Sequence, residues 1–129
     1  MSLTGLCILL VEDEPLIAFD LAETLEIAGA RVVGPVRSLS SAFSILEKTA
    51  SSDLWDAVVL DYSLTDGTSE PFAEALKRAN VPFLIHSGNV EFLFALASRL
   101  NAPLVGKPSD DATLVKAVSR AIRTRAIHD

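Results

Sequence analysis

The chain has 129 residues, half of them hydrophobic, with six Gly and six Pro spread singly, which suits one compact domain over residues 1–129 and leaves no room for a second. Lys and Arg total 11 against 17 Asp and Glu, a formal net charge of -6. No basic run gathers anywhere, which argues against direct nucleic-acid contact. Cys7 is alone, so an internal disulfide is excluded and a reducing compartment expected, with Cys7 as a small buried hydrophobe. The longest apolar runs are too short to cross a bilayer, and the N-terminus lacks the charged start and cleavage site of a secretion signal, so a cytoplasmic protein with no membrane partner is expected. Met1-Ser2-Leu3 could be an addition ahead of the natural chain.

Strand-like and helix-like signals alternate five times. They are Leu6–Val11 then Pro15–Ala28, Arg31–Val33 then Leu39–Ala50, Ala57–Leu60 then Pro71–Ala79, Phe83–His86 then Val90–Ser98, and Ala102–Val105 then Asp110–Ala126. This α/β alternation predicts a parallel sheet with helices on both faces. The helices are read from apolar residues at i, i+3, i+4, i+7: Leu39, Ala42, Phe43 and Leu46; Phe72, Ala75, Leu76 and Ala79; Val90, Leu93, Phe94 and Ala97. Pro15 and Pro71 suit first-turn positions, and Gly29 lies where a left-handed cap is expected. The polar connection Asp61–Glu70, with Asp66-Gly67, is the longest on its edge and is expected to move.

Polar residues stand where the apolar runs stop: Glu12-Asp13 after Val11, Asp61 after Leu60, Ser87 after His86, Lys107-Pro108 after Val105. In an open parallel sheet those ends share one edge, so three acids, a hydroxyl and a lysine converge. Crowded carboxylates repel one another and call for a cation, and oxygen ligands without His or Cys select Mg²⁺, with Mn²⁺ as the alternative. Asp61, alone on its strand, suits a nucleophile that attacks phosphorus to give an aspartyl phosphate. Ser87 and Lys107 would each meet a transferred oxygen. Singly, each signal has a plainer explanation, since acids favour helix starts and Asp favours turns. Their occurrence together, in this order, favours phosphoryl chemistry.

These residues resemble the receiver domain of bacterial two-component response regulators. The resemblance rests on Ile8-Leu-Leu-Val-Glu-Asp-Glu-Pro15, Val58-Val-Leu-Asp61, Ser87-Gly88 and Lys107-Pro108, and covers essentially the whole chain. It implies a flavodoxin-like doubly wound (βα)5 fold with strand order 2-1-3-4-5. It also implies Asp61 as phospho-acceptor, Glu12, Asp13, Asp61 and the Ser63 carbonyl as metal ligands, Ser87 as switch hydroxyl and Lys107 as phosphate lysine. The implied partners are a histidine kinase or histidine phosphotransfer protein, with a downstream protein and a homodimer left open, and the implied role is signalling without separate enzymatic turnover. Pro82-Phe-Leu-Ile-His-Ser-Gly88 further resembles a mostly stand-alone alphaproteobacterial subgroup that carries Phe-Ala-Thr-Gly.

Two departures stand out. Most receivers place an aromatic three residues before the lysine, where this chain has Leu104, and the subgroup follows its Thr-Gly with a hydrophobic residue and a tyrosine, where this chain has Asn89 and Val90. Readout through Phe92 or Phe94 is one expectation from this. Two rival functions remain at this level: a degenerate receiver acting as a constitutive interaction module, and a small Mg²⁺ phosphohydrolase with Asp61 as nucleophile. His86 is expected to be a satisfied buried histidine and Trp55 a packing residue. The stripes Lys116, Arg120, Arg123 and Asp20, Glu23, Glu26 are read first as solvated faces.

Overall fold

The computed structural model describes residues 2–128. Its main elements in chain order are β1 (Cys7–Val11), α1 (Pro15–Ile27), β2 (Arg31–Val36), α2 (Leu39–Lys48), β3 (Ala57–Asp61), the short β4 (Ser63–Leu64) and β5 (Gly67–Thr68), α3 (Glu70–Arg78), β6 (Phe83–Ser87), α4 (Val90–Leu100), β7 (Leu104–Gly106) and α5 (Asp111–His128). The sheet runs β2-β1-β3-β6-β7 with every neighbour parallel. Counting only these five strands, that is the expected flavodoxin-like order 2-1-3-4-5.

A parallel sheet covered on both faces needs strands that are apolar on both sides. The sequences Cys-Ile-Leu-Leu-Val of β1 and Ala-Val-Val-Leu of β3 meet that need. Their side chains divide by alternation. Leu9, Val11, Val58, Leu60 and Ile85 pack against Phe72 and Leu76 of α3 and Leu93 of α4. Ile8, Leu10, Val59 and Leu84 pack against Leu21 and Leu25 of α1 and Leu114 and Val118 of α5. Trp55 is buried in the first of these layers, as expected of a packing residue.

Several expectations are corrected. Leu3 is fully buried and its amide donates to the Ala28 carbonyl at 2.8 Å, so it packs as part of the core. Cys7 is half-buried, and Arg31 Nη2 donates to its Sγ at 3.2 Å; its place at the start of β1 leaves the sulfur at the sheet rim. β2 runs on to Val36, past an irregularity in its pairing with β1, where Gly34 has φ +107 and passes so close to the Leu10 carbonyl that a Cβ would lie 2.6 Å from it. On α4 the buried residues are Leu93, Ala97 and Leu100, while Val90 is 39% and Phe94 69% exposed. On α3 they are Phe72, Ala73 and Leu76. Gly29 does adopt a left-handed conformation after α1, with φ +108.

Candidate functional site

The C-terminal ends of β1, β3 and β6 and the turn after β7 bring the expected groups to one edge. Glu12 and Asp13 follow β1, Asp61 ends β3, Ser87 ends β6 and Lys107 follows β7. Glu12 and Asp61 are 1% and 5% exposed, Asp13 is half-buried, and one carboxylate oxygen from each of the three lies within 4.8 Å of the others. Lys107 Nζ sits 3.0 Å from Asp61 Oδ1 and 3.1 Å from Glu12 Oε1. The Asp61 contact is aligned as a hydrogen bond. The Glu12 contact is an ion pair by distance only, and Oε1 is a buried oxygen with no aligned donor among the described residues. Glu12 Oε2 accepts from the Glu14 amide at 3.1 Å, which orients the carboxylate.

Charge follows from this crowding. Burial pushes the Asp61 carboxyl up, to about 7; the Lys107 ammonium pulls it down and the neighbouring Glu12 pushes it up again. Burial acts in the same upward sense on Glu12, but the Glu14 amide, Asp61 and Lys107 together hold it below the usual carboxylate range. Lys107 loses solvation by burial, yet the two acids hold it above its ordinary value, so it stays charged. Three acids against one ammonium leave the cluster acidic. A divalent cation would balance that charge and give Glu12 Oε1 a partner, and an all-oxygen donor set fits Mg²⁺.

The Ser87 hydroxyl oxygen accepts the Asn89 amide at 3.1 Å, and the Ser87 carbonyl accepts the Lys107 amide at 2.9 Å, so β6 and the lysine turn are tied by backbone. The Lys107-Pro108 peptide is cis. Ser63 opens β4 and is exposed, two residues past Asp61. The connection from β3 to α3, expected as a mobile loop, is a small hairpin in which Ser63 pairs with Thr68 and Leu64 with Gly67.

His86 pairs in register with Asp61 and is 3% exposed. It is only half satisfied: Nε2 shares a hydrogen bond with Ser109 Oγ at 3.3 Å, and Nδ1 has no partner among the described residues. Burial, reinforced by Lys107 and opposed by Glu12, lowers its pKa to about 4, so the ring is neutral at physiological pH. Two contributors escaped the sequence reading. Ser109 is one, with no sequence signal. Asp66 is the other; it bonds two backbone amides of α2, and its only signal was an Asp-Gly pair in a loop.

No protein-family model matches the chain. The phyllosphere-induced regulator PhyR of Methylorubrum extorquens is 31% identical over 117 residues, which cover 89% of this chain and 43% of the relative; the chain thus spans less than half of that protein. A response regulator receiver protein from Sinorhizobium medicae superposes with a TM-score of 0.82 at 28% identity, covering 96% of this chain and 99% of that one. The non-phosphorylated HemR receiver domain from Leptospira biflexa gives 0.77 at 28% identity, covering 92% and 94%. The PhyR receiver domain from Erythrobacter litoralis, at 22% identity and 0.77, shares the fold over 93% of this chain and 92% of its own. Fold and likeness over nearly the whole chain place it among response regulator receiver domains, the class that serves two-component signalling. No helix among the described residues is long and apolar enough to cross a membrane.

Proposed function

We propose that the chain is a phospho-accepting receiver, working in the cytoplasm, that takes a phosphoryl group from the phosphohistidine of a histidine kinase or phosphotransfer protein onto Asp61. The observation that carries this reading is Lys107 Nζ at 3.0 Å from Asp61 Oδ1, beside an acid cluster suited to a hard cation. Glu12, Asp13, Asp61 and the Ser63 carbonyl are the residues that would hold Mg²⁺. Bound there, the ion screens the acids and offsets charge on the transferred oxygens.

An oxygen of the Asp61 carboxylate forms the new bond to phosphorus while the bond to the partner's imidazole nitrogen breaks, and that nitrogen leaves with its electron pair. Lys107 keeps its proton, as its raised pKa requires, and pairs with one transferred oxygen as it does with Asp61 now. The Ser87 hydroxyl donates to another while its oxygen goes on accepting the Asn89 amide. Water then hydrolyses the acyl phosphate. The chain's own modification is the only chemistry, and a downstream protein reads the result. Convergence of the acids and the lysine favours this over a constitutive interaction module. Against the phosphohydrolase, only a short hairpin separates β3 from α3, too little to enclose a small substrate.

The test is intact mass after treatment with acetyl phosphate. One phosphoryl group should add in the presence of Mg²⁺, labile to base and hydroxylamine, and none should add to Asp61→Asn. An adduct that persists in the Asn variant refutes the assignment.

A further inference from the structure

The hairpin after β3 carries a contact that the phosphoryl chemistry leaves unused. Thr65 and Asp66 form its tip, between Leu64 and Gly67, and Gly67 turns the chain there with φ +141, a conformation open in practice only to glycine. From that tip the Asp66 carboxylate reaches the start of α2. Oδ1 accepts the Leu39 amide at 2.7 Å and Oδ2 the Ser40 amide at 2.9 Å. These are first-turn donors with no partner inside the helix, at the end where the dipole favours negative charge. The same two bonds hold the Asp66 carboxyl below its usual range.

Helix α2 already has a cap of its own, because Ser38 Oγ accepts the Ser41 amide at 3.1 Å. Ser38 covers only the Ser41 amide, and Asp66 covers two further first-turn amides from outside the helix, so its capping also ties the hairpin to a helix 27 residues earlier in the chain by two bonds rather than one. The hairpin's other end is closed by the Ser69 amide on the Tyr62 carbonyl at 2.7 Å, with Ser69 buried. Ser63 lies between these two anchors.

We propose that Asp66 is a positioning residue for the cation site: it straps the hairpin to α2 and so fixes the segment that presents the Ser63 carbonyl. This rests on the Mg²⁺-dependent reading above. A strap of this kind couples in both directions, so a cation that orders the hairpin also protects the first turn of α2, and a ligand gripping that turn alters cation affinity.

The experiment is a Mg²⁺ titration of the full chain followed by backbone amide shifts, run on wild type, Asp66→Ala, Asp66→Asn, Ser38→Ala and Asp13→Ala. Asp66→Ala should weaken binding roughly tenfold, the scale seen when groups that orient metal ligands are removed. Asp66→Asn, which keeps one acceptor oxygen, should fall between it and wild type. Ser38→Ala takes a cap from the same helix without touching the hairpin, and its affinity should stay within about twofold of wild type. In wild type, Mg²⁺ should slow hydrogen exchange at the Leu39 and Ser40 amides, and in Asp66→Ala it should not. Undiminished affinity in both Asp66 variants, or an equal loss in Ser38→Ala, overturns the strap while leaving the cation site standing. Wild type that binds no Mg²⁺ at millimolar concentration, or binds it unchanged after Asp13→Ala, overturns the cation reading and the strap with it.

Discussion

Val90, at the first turn of α4, lies directly over Gly106 at the end of β7: a methyl group on Gly106 would come within 2.8 Å of Val90 Cγ2. Gly106 is also the register partner of Ser87 and the residue before Lys107. The start of α4 thus rests on the backbone that carries two of the proposed phosphate-contacting groups. Gly106→Ala should destabilise the chain by about 1–3 kcal/mol through overpacking, and Gly106→Ala with Val90→Ala should recover much of that loss. Denaturant unfolding of the two single variants and the double variant measures this. Strictly additive losses would mean that the two residues do not press on each other.

Cation binding should depend on Asp13, the least buried of the three acids and so the readiest to meet a hydrated ion. Mg²⁺ should bind wild type in the micromolar to millimolar range, as sites that leave water on the ion do, and Asp13→Ala should weaken it severely. Calorimetric or shift titration of both proteins reads the effect. Equal affinity removes Asp13 from the site.

Buried neutral His86 predicts a pH effect on stability. Its folded pKa of about 4 lies below the ordinary 6.5, so between those values the unfolded chain takes up a proton that the folded chain does not. The contribution is complete above 6.5 and is lost as pH falls towards 4, to a total of about 3 kcal/mol. Asp61 works in the opposite sense across the same window. Its folded pKa is raised above the ordinary 3.8 to about 7, so its contribution is complete below 3.8 and lost as pH rises through 7. Comparison with His86→Ala therefore isolates the histidine: the wild type should lose more stability than the variant between pH 6.5 and 4.5. Parallel curves would show that folding leaves the proton affinity of the ring unchanged.

Leu104 should make the response to phosphorylation modest at the outer face. It lines a cleft of about 430 Å³ with Val90, Phe94 and Arg120. A leucine cannot exchange exposed and buried poses with the gain of an aromatic ring, so coupling between Asp61 and this face should be about 1 kcal/mol, a several-fold effect on affinity. Amide shifts with Mg²⁺ and beryllofluoride should change most in Ser87–Val90 and Leu104–Pro108 and little along the rest of α4 and α5. Large changes confined to the α4 and α5 surface would assign the switch to another residue.

The sequence by itself determined the parts that local pattern can carry. Apolar runs of strand length alternating with helical periods specify a parallel sheet, and a parallel sheet aligns its strand ends, so the convergence of Glu12, Asp13, Asp61, Ser87 and Lys107 was readable from order alone. Tertiary structure decided wherever two local readings were equally good or the partner lay far along the chain. Helix α4 has enough apolar residues for two overlapping stripes, and only docking onto the sheet chose Leu93, Ala97 and Leu100 over Val90 and Phe94. His86 finds Ser109 after 23 residues, and Asp66 finds Leu39 and Ser40 across 27 and 26. Local periodicity records which face of an element is apolar. It holds no record of which distant backbone amide a carboxylate will meet, because that pairing exists only once the sheet has brought the segments together.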